Sequence, residues 1–355
     1  MVRRQRECPE PSIAGKDSMV VMVDGKGKKL GLALSGGGFR AAAFHLGVFR
    51  QLHRRQLLDK LELVSCVSGG SIAGAVLALH WPDVGKAMDA IDTYLKTKSI
   101  AVASAIGGLL DPFESRIDKL ADSYDRDLFK GATLGSLKAG PRLYLNATNL
   151  ATGNLFFFAT GGGKATEMGD YELGAASANT FPLCRAVAAS SAFPPVFPPL
   201  RLNPDVYPPA APLDYVTLCD GGVYDNLGIN PALRTERNPL DYLIVSDGAL
   251  PFAIAPEPTE SGLVVLKLAI NIMMEQVRGL EFDRILHHYL TNKGPKPLWF
   301  SLDSTEGEQQ AGDAHFASSV GTNLKRLSEP ELTILIRHGG ALVQSRLLKY
   351  AAELP

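Results

Sequence analysis

The sequence predicts an α/β protein built on a largely parallel sheet that is covered on both faces. Three observations carry that expectation. Short apolar runs recur at residues 29–34, 61–67, 215–219 and 241–246. Each run ends in a Ser/Gly or Asp/Gly cluster, and stretches of helical spacing or helix-forming composition lie among them. Strands that are apolar throughout suit a sheet buried on both sides.

At 355 residues the chain is long enough for one large α/β domain with insertions. Residues 1–28 are polar and Gly/Lys-rich and read as a poorly ordered arm, with a single domain over 29–355. The first strand leads into a helix over 40–52, where Ala43, Phe44, Gly47, Val48 and Leu52 approach helical spacing. The second leads into an apolar helix over 72–80. Residues 81–140 are mostly helical, with candidates at 83–95 and 114–128, and read as an insertion or cap. Segments 142–149 and 153–158 look like two strands joined by a turn, and 186–191 like a short helix. Eight prolines between Phe193 and Leu213 exclude both a helix and a central strand, leaving a stiff extended loop. The C-terminal part, about 262–355, reads as long helices at 266–290 and 329–349.

Lys+Arg 36 against Asp+Glu 37 gives no electrostatic case for nucleic acid. The basic start, Met1-Val2-Arg3-Arg4-Gln5-Arg6, runs into Glu7, Cys8 and Pro9 without the apolar stretch of a signal peptide. The apolar windows 100–110 and 262–274 are too short to span a bilayer. A cytoplasmic protein able to touch a membrane peripherally is expected. Cys8, Cys66, Cys184 and Cys219 are irregularly spaced and read as reduced thiols. The histidines are scattered, and no acidic loop has calcium-ligand spacing, so no metal and no cofactor are expected.

Two glycine-rich turns carry the chemistry. Gly69-Gly70-Ser71-Ile72-Ala73 follows a strand and opens a helix, the setting of a nucleophile elbow, with Ser71 as nucleophile. The second glycine of that pattern is Ala73 here. Gly36-Gly37-Gly38 suits backbone amides converging on an oxyanion. It also fits a dinucleotide fingerprint through Ala41, but that reading needs an acid ending the second strand, where the chain has Ser65-Cys66-Val67-Ser68. Asp220-Gly221-Gly222 ends another apolar run, and in a parallel sheet Ser71 and Asp220 could meet at one edge. Asp225 and Asp247 occupy comparable turns.

With these motifs, and with Ala189-Ser190-Ser191-Ala192-Phe193-Pro194-Pro195-Val196-Phe197-Pro198-Pro199 before the aspartate, the sequence resembles the patatin-like phospholipase family over about residues 30–230. The resemblance implies a three-layer α/β/α sandwich and a Ser–Asp dyad that needs no histidine. Carried over, Ser71 is the nucleophile and Asp220 the base. The Gly36-Gly37-Gly38 turn, through the amides of Gly37 and Gly38 and helped by Ile72, stabilises the oxyanion. Arg40 is placed to face phosphate. The substrate implied is a phospholipid or another fatty acyl ester. The window 100–110 and the Phe/Pro loop 193–199 are candidates for an acyl channel or membrane-facing lip. Two alternatives stand beside this one. The first is a Ser-Asp-His triad drawing on His287, His288, His315 or His338, with His45 read as a packed residue near the site. The second is a lipid-binding scaffold without chemistry.

Overall fold

The computed structural model describes residues 27–100, 116–210, 213–250 and 261–354, so nearly all of the expected N-terminal arm and of the window 100–110 lie outside it. A 10-stranded sheet forms the middle layer. Its parallel part runs β10 (Lys296–Ser301), β9 (Tyr242–Asp247), β1 (Leu30–Leu34), β2 (Leu61–Val67) and β3 (Arg142–Asn149). It continues antiparallel through β4 (Asn154–Thr160), β5 (Glu167–Asp170) and β6 (Gly174–Ser177).

Alternate residues of each strand feed different cores, as a period of two requires. Leu32, Val64, Leu145, Phe158, Ile244 and Phe300 face the larger core. There they meet α1 (Gly38–Arg54), α2 (Gly69–Leu79), α3 (Val84–Thr97), α4 (Arg116–Tyr124), α5 (Leu183–Ser190) and α9 (Glu329–Tyr350). Ala33, Leu63, Tyr144, Phe157 and Val245 face a smaller core closed by Leu227, Ile229, Leu233 and Ile285 of α7 (Gly262–Leu290). The result is the three-layer α/β/α sandwich, with one thick and one thin helical layer. α9 starts at a capping box between Ser328 and Glu331 with Pro330 in its first turn, a start signal written in the sequence.

The sheet is mixed rather than largely parallel, and the difference positions the site. β8 (Val216–Asp220) pairs antiparallel with β3, because it is reached through β7 (Leu200–Leu202) and a proline-rich hairpin instead of a crossover helix. β2 pairs with β3 from Arg142 to Asn146, and β8 pairs with β3 from Ala147 to Asn149. The two strands therefore meet tip to tip, Val67 opposite Asn146 and Asp220 opposite Ala147. The Phe/Pro loop is not a free lip along its whole length, since Phe197 is buried in the larger core.

Candidate active site

β2 ends in a sharp turn whose tip is Ser68. This residue is half-buried and holds φ +51° and ψ −115°, a left-handed conformation that costs roughly 1–3 kcal/mol and recurs at functional sites. The residues that follow explain why the chain tolerates it. A Cβ on Gly69 would stand 2.2 Å from the Gly38 carbonyl oxygen, and one on Gly70 would stand 2.4 Å from that of Leu34. Two glycines thus let α2 begin at Gly69, packed against the first glycine turn.

Ser71 lies one turn inside that helix and is fully buried. Its Oγ is 2.7 Å from Ser190 Oγ. Ser190 donates its own proton to the Asn146 carbonyl at 2.6 Å, so Ser71 is the donor of the pair. Ser190 Oγ also accepts the Ser68 N–H at 3.1 Å. The structure therefore gives Ser71 a packing position and puts Ser68 at the apex expected of Ser71. The sequence placed the helix start at Ile72, three residues late, and that displacement moved the apex with it. The signal for Ser68 is Cys66-Val67-Ser68-Gly69-Gly70, an elbow pattern with cysteine in place of its first glycine.

Asp220 closes β8 at 2% exposure. Its N–H donates to the Ala192 carbonyl at 3.0 Å, its carbonyl accepts from Thr148 Oγ1 at 2.8 Å, and its Oδ1 accepts the Gly222 N–H at 2.8 Å. Burial pushes its pKa up to about 7, while the Gly222 N–H and the Ser68 hydroxyl, both directed at the carboxylate, oppose the rise. Asp220 is thus brought to Ser68, and no bond links it to Ser71 among the described contacts.

Of the expected oxyanion donors, two are already committed. The Gly36 N–H bonds the Asn226 carbonyl at 3.1 Å, and the Ile72 N–H bonds that of Ser68 at 3.2 Å. Among the described contacts, the N–H groups of Gly37, Gly38 and Gly69 have no acceptor. Gly38 and Gly69 open α1 and α2, so the positive ends of two helix dipoles converge beside Ser68.

Arg40 does not face a solvent-borne phosphate. At 1% exposure it donates from Nε to the Gly248 carbonyl at 3.2 Å and from Nη1 to that of Val320 at 2.9 Å, while burial lowers its pKa to about 10. It clamps the start of α1 to the end of β9. His45 is a packed residue: Nε2 donates to the Ser35 carbonyl at 3.0 Å, Nδ1 takes the Ser246 hydroxyl at 2.8 Å, and burial drops the pKa to about 4. His338 is buried against Phe44 and bonded to the Leu302 carbonyl, and His288 bonds the Arg284 carbonyl of its own helix. No described contact joins any of the four triad candidates to Ser68 or Asp220. Asp225 spends its carboxylate on the N–H groups of Gly228, Ile229 and Asn230 and on the Asn230 amide, and Asp247 on Ala249 and Arg278.

Solved structures share this architecture. Human GIVD cytosolic phospholipase A2 superposes with a TM-score of 0.59 at 13% identity, covering 90% of this chain and 58% of that one. The same human enzyme in complex with methyl γ-linolenyl fluorophosphonate and terbium chloride gives 0.54 at 14% identity, covering 90% and 57%. At such identity the likeness is one of fold, and the chain spans under two thirds of those structures' length. No curated protein sequence matches the chain. The family model described as patatin-like phospholipase matches residues 32–233, a stretch that runs from β1 through the glycine turns and Asp220, and by that match over more than half its length the chain belongs to the patatin-like phospholipase family.

Proposed function

We propose that the chain is a lipid acyl hydrolase in which Ser68 is the nucleophile and Asp220 the base, with the amides of Gly37, Gly38 and Gly69 receiving the oxyanion. The observation that carries this reading is Ser68 itself, strained at the tip of a glycine-walled turn and facing a carboxylate of raised pKa. Asp220 removes the Ser68 proton as Oγ attacks an ester carbonyl, and the tetrahedral oxyanion forms against the free amides. Collapse expels the alcohol, which takes the proton back from Asp220. Water, deprotonated by the same carboxylate, then releases the fatty acid from Ser68. A base with pKa near 7 is better matched to neutral pH than an ordinary aspartate. The class of substrate, a phospholipid or other fatty acyl ester, follows the family's description.

The test is to label purified protein with a fluorophosphonate probe, map the modified peptide by mass spectrometry, and follow fatty acid release from phospholipid vesicles in parallel. The expected adduct is on Ser68, and Ser68→Ala abolishes both label and release while Ser71→Ala keeps both. An adduct on Ser71 would return the nucleophile to that residue. A protein that binds the vesicles but neither labels nor releases acid would be a scaffold.

A further inference from the structure

α7 is pinned beside the candidate site by one stripe of its residues. Met274 Cε lies 2.9 Å from where a Cβ on Gly222 would stand, next to Asp220. Further along, Arg278 Nε bonds Asp247 at 2.5 Å, Glu281 is buried, and Ile285 enters the smaller core. Phe282 adds a ring contact with Trp299 at 5.0 Å between centroids. Positions 274, 278, 281 and 285 recur at helical spacing and define the inward side.

The other side is exposed, and along the first part of the helix it is apolar, with Asp283 and His287 exposed further along. Val265, Ile272, Met273 and Leu280 are exposed by 43%, 45%, 59% and 68%, and Val264 and Leu266 beside them are also exposed. Between Ser261 and Leu280 no described residue is buried. Most of the large hydrophobic side chains exposed among the described residues belong to this one helix, a concentration that marks an interaction surface.

We propose that this outward face of α7 seats the protein on a lipid surface and brings the site to its substrate; the inference rests on the hydrolase reading above. Charge decides the occupant. From Gly262 to Met274 the sole ionisable residue is Lys267, and Val265, Ile272, Met273 and Leu280 offer no hydrogen bond or charge to a polar protein partner. Hydrocarbon is the chemistry that complements such a face. No helix among the described residues is long and apolar enough to cross a membrane, so α7 lies along the interface. Its outward side meets acyl chains while Met274, on its inward side, reaches Gly222 beside Asp220. A lipid carbonyl just below the headgroups is then within reach of the site.

The test is co-sedimentation of the full chain with sucrose-loaded phosphatidylcholine vesicles. Wild type is compared with Ile272→Glu/Met273→Glu and with the neutral pair Val265→Gln/Leu280→Gln. Turnover of a short-chain water-soluble ester and size by light scattering are followed on the same preparations. Wild type is expected to sediment with the vesicles independently of salt. Each double variant loses about tenfold or more in partitioning, as expected for withdrawing two apolar side chains from hydrocarbon, yet keeps its soluble-ester turnover. Unchanged partitioning in both variants overturns the proposal, as does a wild type that never binds vesicles. So does a wild-type dimer that the variants dissolve without weakening vesicle binding, because the face would then belong to a second copy. Should wild type bind vesicles and the variants not, while none of them hydrolyses the soluble ester, docking stands and the hydrolase reading fails.

Discussion

Ser68 and Ser71 stand one helical turn apart at the start of α2, with opposite surroundings. Ser68 is half-buried, holds a positive φ and has its hydroxyl turned to Asp220, whereas Ser71 is fully buried in ordinary helix with its hydroxyl given to Ser190. The amides beside them differ in the same sense. Gly69, next to Ser68, has an N–H with no acceptor among the described residues, and Ile72, next to Ser71, has one bonded to the Ser68 carbonyl. A hydroxyl becomes available for chemistry where the helix has not yet begun, and becomes packing material one turn later. On the proposed reading, where the helix starts decides which serine of the cluster reacts.

Substitutions can break or sharpen that contrast. The largest effect is expected from Ser68→Ala, at least about 10⁴-fold in vesicle hydrolysis measured by fatty acid release.

Next comes Asp220→Asn, which should lower hydrolysis by about 10²–10⁴-fold. In wild type, kcat/KM should climb with pH around a midpoint near 7 as Asp220 loses its proton. The same change should raise stability. Because burial lifts the folded-state pKa above that of the unfolded carboxyl, the native state holds this proton more tightly, and the advantage is lost as pH rises through about 7. Denaturant melts should show Asp220→Asn gaining on wild type between pH 4 and 7, to about 4 kcal/mol at pH 8.

Gly69→Ala, whose new Cβ would stand 2.2 Å from a backbone oxygen, should cost about 3 kcal/mol or more in the same melts, with loss of labelling.

Ser190→Ala removes the acceptor of both the Ser68 N–H and the Ser71 hydroxyl, and about tenfold in kcat with roughly 1–3 kcal/mol of stability is expected. Ser71→Ala should be the mildest, within about threefold in rate for roughly 1 kcal/mol of stability. A Ser71→Ala variant as inactive as Ser68→Ala would erase the distinction between the two.

The parallel half of the sheet was legible because strands covered on both faces must be apolar runs, as Leu30–Leu34, Leu61–Val67 and Tyr242–Asp247 are. β5 and β6 escaped notice because they are four residues each, with glycines and alanines that show no alternation. β10 hid behind Pro297, which is tolerated because the strand is at the sheet's edge. α7 and α9 were read close to their limits as long helices over 266–290 and 329–349. In the site, the Gly36-Gly37-Gly38 turn and Asp220 were visible from glycine next to strand ends. Ser68 was not, because its elbow carries Cys66 where a glycine is usual, and a glycine pair preceding Ser71 drew the turn toward the wrong end. Nor could a sequence show that Gly36 and Ile72 would spend their amides elsewhere, since those acceptors, Asn226 and Ser68, are set by tertiary structure in one case and by the true helix start in the other.

β3 acts as a ruler between Ser68 and Asp220, the proposed nucleophile and base. Ser68 follows the end of β2 and Asp220 ends β8, and both strands are indexed on neighbouring rungs of the same β3 ladder, Asn146 and Ala147. The spacing of the pair is thus written into one strand's register, and the long excursion through β4, β5, β6, α5 and β7 touches it at the end of α5, where Ser190 takes the Ser68 N–H and the Ala192 carbonyl takes that of Asp220. Away from that brace, the excursion can change in length or side chains while the register of β3 keeps Ser68 and Asp220 on neighbouring rungs.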